Sequence, residues 1–187
     1  MQHDKQSLIE LVTRAQAGDQ TAFDELYEQL YQPLFRYIAA KVRTTEDAED
    51  LTQQSFLKFY KNLSRWQDRG YSPTAYLYKI ASSVVIDYYR ATRNRPIGDS
   101  EDVLLAIADT SQDQHQDVLI SEQKQHLLNQ LHKLSELDQE VLRLRFFVGL
   151  SSEQIAEIIG KTPVATRKLQ SRAIAKLRLL IKDEERS

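Results

Sequence analysis

The sequence predicts an all-α protein: two small helical domains joined by an acidic flexible linker. Three observations carry the prediction. Apolar residues recur at three- and four-residue spacing through both ends of the chain. No stretch alternates apolar with polar residues in the way a half-buried strand does, and no internal repeat is found. The 187 residues include only 5 Gly and 4 Pro, too few for a turn-dense β sandwich or for low-complexity chain.

The elements follow in order. Leu8, Ile9, Leu11, Val12 and Ala15 give a first helical face that stops at Gly18. Asp19 caps a second helix carrying Ala22, Phe23, Leu26, Tyr27 and Leu30. Pro33 suits a fresh first turn, and the pattern resumes through Leu34, Phe35, Tyr37, Ile38 and Val42. Thr45 caps the next helix, whose acidic first turn, Glu46 to Asp50, suits the positive end of the helix dipole; it runs to about Leu63. After a loop from Ser64 to Tyr71, Ser72-Pro73 pairs a cap with a proline at the first helical position, where its missing N–H costs nothing. That helix runs to about Asn94, with Leu77, Ala81, Val84 and Tyr88 as its buried stripe.

Residues 96–117 show no sustained stripe and read as the linker. Periodicity returns with Leu119, Ile120, Leu127, Leu128, Leu131 and Leu134; Ser135 then caps a helix from Glu136 to about Val148, closed by Gly149. Ser151 and Gln154 form a capping-box pattern for a short helix that Gly160 stops, and Thr162-Pro163 launches a last helix to about Lys182. Two capped helices about a Gly-containing turn define a helix-turn-helix in the C-terminal domain. Leu150, Ile155, Ala156, Ile158, Ile159, Val164, Leu169, Ala173 and Leu177 supply its packing.

The formal charge of −2 hides a division along the chain. Residues 1–95 hold 13 Lys/Arg against 12 Asp/Glu, residues 121–187 hold 12 against 9, and residues 96–120 hold 6 acids and no base. The last helix carries Lys161, Arg167, Lys168, Arg172, Lys176 and Arg178, with no acid before Asp183. Cations along such a helix neutralise DNA phosphates while its first turns reach base edges. Thr162, Val164, Ala165, Arg167 and Lys168 are the candidate base readers, with Ser171 and Arg172 one turn on. A solvated basic face on an ordinary bundle is the bland alternative.

Other chemistries lack their residues. With no Cys there is no disulfide, thiolate zinc site or cysteine nucleophile. His3, His115, His126 and His132 show no ligand spacing, and Glu46, Asp47, Glu49 and Asp50 point around their helix, so no metal and no cofactor is expected. There is no phosphate-cradling glycine loop and no nucleophile elbow, which argues against a hydrolase or metal-dependent enzyme. The N-terminal residues do not form a signal peptide, and no apolar run is long enough to cross a bilayer, so a cytoplasmic protein without membrane insertion is expected.

Residues 47–59 (DAEDLTQQSFLKF), 72–81 (SPTAYLYKIA) with Ile86-Asp87-Tyr88-Tyr89-Arg90, residues 137–142 (LDQEVL) and the helix-turn-helix together resemble bacterial RNA polymerase sigma factors. The closest resemblance is to the extracytoplasmic-function (ECF) group of the sigma-70 family, over about residues 8–95 and 120–180. It implies a sigma factor, a binding protein and not an enzyme, that docks core RNA polymerase through its β′ and β subunits and directs initiation at promoter DNA. Residues 1–95 would then be a region 2-like domain for docking, melting and −10 recognition, residues 96–117 the acidic linker near the template and RNA exit path, and residues 118–187 a region 4-like domain for −35 recognition.

The resemblance places polymerase docking on Asp47, Asp50, Leu51, Gln53 and Gln54, with Leu51 and Phe56 better suited to packing. Gln54 stands where the family commonly has glutamate. The −10 single strand falls to Trp66, Tyr71, Lys79, Ser83, Asp87, Tyr89, Arg90, Arg93 and Asn94. Aromatic rings beside cations are what holding unpaired bases requires. Trp66 is more often a core anchor than a stacking platform, and with Tyr88 in the buried stripe Tyr89 is expected to be the exposed ring. The resemblance also implies sequestration by an anti-sigma factor. The competing function is a free-standing helix-turn-helix regulator that needs no polymerase.

Overall fold

The computed structural model describes residues 5–68, 72–92, 126–127 and 129–184. The sequence-predicted linker, with Tyr71, Arg93 and Asn94, lies outside them. The chain divides into two units, Met1–Leu104 and Leu105–Ser187. No strand occurs among the described residues.

The N-terminal unit holds α1 (Lys5–Gln16), α2 (Gln20–Ala39), α3 (Thr45–Leu63) and α4 (Pro73–Thr92). Leu8, Leu11 and Val12 of α1 meet Leu26, Leu30, Leu34 and Ile38 of α2, Leu51, Phe56 and Phe59 of α3, and Leu77, Tyr78 and Ala81 of α4 in one buried core. Thr52 and Ser55 are also buried on α3, their hydroxyls donating to the carbonyls of Ala48 and Leu51 one turn back, so neither polar group is left unsatisfied. The Gln16 amide donates to the carbonyls of Leu63 and Trp66 at 2.8 Å each, tying α1 to the end of α3 and the loop that follows it.

Two expectations about helix starts are corrected. Pro33 begins no new helix; α2 passes through it unbroken. An interior proline costs about 3 kcal/mol, but the apolar row Leu26, Leu30, Leu34 and Ile38 continues in phase on both sides of it. Each such burial stabilises by about 1.5–3 kcal/mol, so packing keeps the helix whole. The cap of α3 is Thr44, not Thr45. Thr44 Oγ1 accepts the Asp47 amide at 3.1 Å and donates to the Asp47 carboxylate at 2.7 Å, a reciprocal arrangement that the spacing from 44 to 47 specifies.

Asp19 does cap α2, accepting the amides of Thr21 and Ala22. The Thr21 hydroxyl first, and Arg14 at 2.7 Å next, hold the Asp19 carboxyl down at about 2. A carboxyl depressed in the folded state contributes stability that is complete above its ordinary value of 3.8 and is lost as pH falls through about 2. Acid titration followed by amide exchange is therefore expected to open the Thr21 and Ala22 amides between about pH 4 and pH 2, and Asp19→Asn to remove that pH dependence.

The C-terminal unit has helical residues 126–127 and 129–132, then α5 (Glu136–Leu142), α6 (Ser152–Ile159) and α7 (Pro163–Glu184). The expected helix to Val148 is instead α-helical only to Leu142, and residues Arg143–Phe147 form a π turn. The wider turn closes with Val148 N–H donating to the Arg143 carbonyl at 3.2 Å; it buries Leu144 and turns Phe146 and Phe147 outward. Leu131, Leu134, Leu142 and Ala173 form a buried cluster against which Ile174, Leu177 and Leu180 of α7 pack.

Candidate nucleic-acid and polymerase interfaces

On α3 the side chains divide by helical phase. Ala48, Leu51, Ser55, Phe56 and Phe59 face the core, so Leu51 and Phe56 pack, as their chemistry suggests. Asp50, Gln53 and Gln54 are exposed, and the Gln54 amide donates to the Asp50 carboxylate at 2.7 Å, fixing both one turn apart. Leu57 and Tyr60 continue this face at 54% and 51% exposure. Sequence reasoning did not single them out, although their spacing of seven and ten residues from Asp50 was a readable signal. Asp47 is half-buried, bound by Thr44 and by the Tyr88 hydroxyl. Burial foremost, and that bond to Asp47, push the Tyr88 phenol above its ordinary value.

On α4, Lys79, Ser83, Asp87 and Arg90 are all exposed at positions i, i+4, i+8 and i+11, one row along the helix. Asp87 lies between cations, Arg90 at 3.7 Å and Lys58 of α3 at 4.0 Å. Lys58, like Leu57 and Tyr60, was not singled out by sequence reasoning. Tyr89 is not the exposed ring expected. It is half-buried, and its hydroxyl donates to the Lys41 carbonyl just past α2, because the hydroxyl finds there an acceptor that α2 leaves open. Trp66 is also half-buried, its amide donating to the Leu63 carbonyl at 3.0 Å.

The helix-turn-helix has the local chemistry expected of it. Ser151 Oγ accepts the Gln154 amide while the Gln154 side chain accepts the Ser151 amide, a complete capping box on α6. Gly160 ends α6 at φ +65°, with nothing near the place a Cβ would occupy. Its role is thus conformational: Gly160→Ala is expected to cost about 1–2 kcal/mol in urea unfolding, with Gly160→Asn recovering part of the loss. Thr162 Oγ1 accepts the Ala165 amide at 3.2 Å and starts α7. Ser152 Oγ ties α6 to the buried Gln170 of α7 at 2.8 Å.

Val164 does not pack between the helices as expected: it is 57% exposed. Immediately after Pro163 the inward position falls to Thr166, which is fully buried with its hydroxyl donating to the Thr162 carbonyl. Thr162, Val164, Arg167, Lys168, Ser171 and Arg172 are all exposed on α7, and Ala165 is half-buried. An open groove of ≈ 720 Å³ runs between the start of α5 and this side of α7, with Leu137 on one wall and Ala165, Lys168 and Arg172 on the other. Leu137 is a further residue of this face that sequence reasoning placed only in a motif. Arg167 pairs with Glu153 of α6 at 3.3 Å.

Among the described residues no group of three or more His, Asp or Glu is placed to hold a metal ion, and no helix is long and apolar enough to cross a membrane.

Comparison with known proteins agrees with the two units. Residues 26–95 match the model for sigma-70 region 2, and residues 130–179 that for sigma-70 region 4. The ECF RNA polymerase sigma factor BldN of Streptomyces coelicolor is 33% identical over 183 residues, covering 98% of this chain and 69% of its own length. The ECF RNA polymerase sigma factor SigD of Mycobacterium tuberculosis is 34% identical over 174 residues, covering 90% of this chain and 81% of its own. In fold, the chain is similar to the sigma factor RpoE of Bartonella quintana, solved in complex with the anti-sigma factor NepR, at a TM-score of 0.57 and 22% identity over 84% of this chain and 97% of that one. The chain belongs to the extracytoplasmic-function group of the sigma-70 family, the sigma factors that direct RNA polymerase to promoters.

Proposed function

We propose that the division of labour follows the two units: residues 1–95 dock the polymerase and capture the opened −10 element, residues 96–117 are a tether, and residues 118–187 hold duplex DNA at −35. What carries this reading is the exposure pattern, three separate polar faces each built on a helix whose opposite side is core. The α3 face from Asp50 through Gln53 and Gln54 to Leu57 and Tyr60 meets the β′ subunit, with Leu51 supporting it from behind and Asp47 fixing the first turn. The α4 row of Lys79, Ser83, Asp87 and Arg90 takes the displaced strand, together with Arg93, Asn94 and Tyr71 beyond the described residues, while Trp66 and Tyr89 hold the ends of that surface. The α7 face from Thr162 and Val164 to Arg172 enters the major groove. Two modest contacts on one tether act through effective concentration, which suits a subunit that binds promoters only within the assembled enzyme.

The protein supplies no bond-making chemistry in this reading; polymerase does. It acts in the cytoplasm, and an anti-sigma factor restrains it, as the complex of RpoE with NepR illustrates for that protein. The test is reconstitution with bacterial core polymerase on fragmented genomic DNA, followed by sequencing of transcript 5′ ends. Discrete start sites sharing two upstream elements are expected. Failure to bind core polymerase, with tight duplex binding by the protein alone, would overturn the proposal in favour of a free-standing regulator.

A further inference from the structure

Lys168, Arg172 and Lys176 occupy positions i, i+4 and i+8 of α7, so they form one row of cations along the helix. On sequence alone all three count as phosphate ligands. Arg172 and Lys176 both feel the Asp138 carboxylate, but of the three only Lys176 is bonded to it. Lys176 Nζ lies 2.5 Å from Asp138 Oδ2, and the Asp138 side chain is only 4% exposed at the start of α5. The same carboxylate oxygen accepts the Ser135 hydroxyl at 2.8 Å, and Ser135 in turn caps α5 by accepting the Asp138 amide. Asp138 is therefore held in place from its own helix and presents a fixed, buried acceptor to α7. The Lys176 side chain is itself 55% exposed, so what holds the pair is the buried, fixed carboxylate of Asp138 rather than burial of the ammonium.

We infer that Asp138 is a positioning residue that sets the sequence-independent DNA affinity of the C-terminal unit: it withholds Lys176 from DNA phosphate and so lowers affinity for every duplex without touching the base-reading turn. The inference rests on the reading of α7 as the DNA-facing helix. Sequence-independent affinity comes from counterions released by cation–phosphate contacts, while discrimination comes from base contacts. Withholding one phosphate contact therefore weakens binding to every sequence by the same factor. Arg167 and Lys168, nearer the start of α7, keep their positions because the pair also fixes α7 on α5.

The experiment is fluorescence anisotropy of the full chain with a mixed-sequence duplex across a salt series. Each phosphate contact contributes a slope of about −0.9 in log affinity against log salt. Arg172→Gln is expected to lose about 0.9 of slope, which tests whether α7 faces DNA at all; no change there would overturn the DNA reading of α7 itself. With that reading secure, Lys176→Gln is expected to keep the wild-type slope. Asp138→Asn is expected to steepen it by about 0.9 and to raise mixed-sequence affinity by up to about eightfold at 0.1 M salt, as the freed ammonium reaches phosphate. The double variant Asp138→Asn with Lys176→Gln returns to the wild-type slope and leaves no buried unpaired charge to unfold the unit. A purely structural pair would change stability and leave every slope alone. That result, or a loss of slope in Lys176→Gln, overturns the inference.

Discussion

Asp50→Arg is expected to abolish assembly with core polymerase, and with it every promoter-dependent transcript, while leaving the protein folded. Asp50 is exposed and accepts a surface hydrogen bond from Gln54, so the helix loses little when it changes. The partner surface loses more. An exposed carboxylate on the docking face fits a basic partner surface, so Asp50→Arg sets like charges together there, which costs several kcal/mol; each ~1.4 kcal/mol is a factor of ten, and affinity for core polymerase should fall roughly 100-fold or more. Gln54 sharpens the expectation, because with a glutamine there Asp50 is the last acid of α3. Asp47→Ala provides the contrast. Asp47 is half-buried and bonded to Thr44 and Tyr88, so its loss should weaken the α3 cap and the α3–α4 contact and shift the thermal midpoint, with docking reduced far less. Titrating each variant against core polymerase, with circular dichroism in parallel, separates the two outcomes. An Asp50→Arg protein that still assembles at wild-type concentrations would remove α3 as the docking helix.

Much of this was legible in the sequence, for identifiable physical reasons. Caps at Asp19, Ser135, Ser151 and Thr162 are local hydrogen bonds between residues two or three apart, so residue identity alone specifies them. The buried rows of α2 and, through Leu77, Ala81 and Val84, of α4 follow from helical spacing, whereas Tyr88, expected in the α4 row, is only half-buried. Pro33 was misleading because its local cost is set against burial along the whole of α2, which no short window contains. The π turn after Leu142 went unread for a similar reason: Arg143 to Phe147 keep helical character, and only the requirement to bury Leu144 before the turn at Gly149 widens the ladder. The candidate sites divide the same way. Exposure of Asp50, Lys79, Arg167 and Arg172 follows from helical phase. Tyr89 and Lys176 are held by partners 48 and 38 residues away, and spacing along one helix says nothing of such contacts.

Arg167→Ala is expected to flatten discrimination at one base pair of the −35 element. The residue stands in the second turn of α7, exposed, with its guanidinium held by Glu153 of α6 at 3.3 Å. Arg is the side chain best matched to guanine O6 and N7, and one good bidentate contact discriminates by about 1–3 kcal/mol. Losing it should therefore cost roughly 5- to 150-fold at the preferred base pair and almost nothing at the others. Lys168→Ala is the comparison. As a point charge one residue further round the helix, Lys168 should lower affinity by a similar factor for every sequence and take about 0.9 off the salt slope. Glu153 gives the pair its third term. A carboxylate on the neighbouring helix orients Arg167 in the free protein but also opposes nearby phosphates, so Glu153→Gln should raise affinity for all duplexes while blurring the Arg167-dependent position. Holoenzyme binding to promoter fragments substituted at each −35 position reads all three effects at once. Uniform loss in Arg167→Ala would make Arg167 a phosphate ligand and shift base reading to Val164 and Lys168.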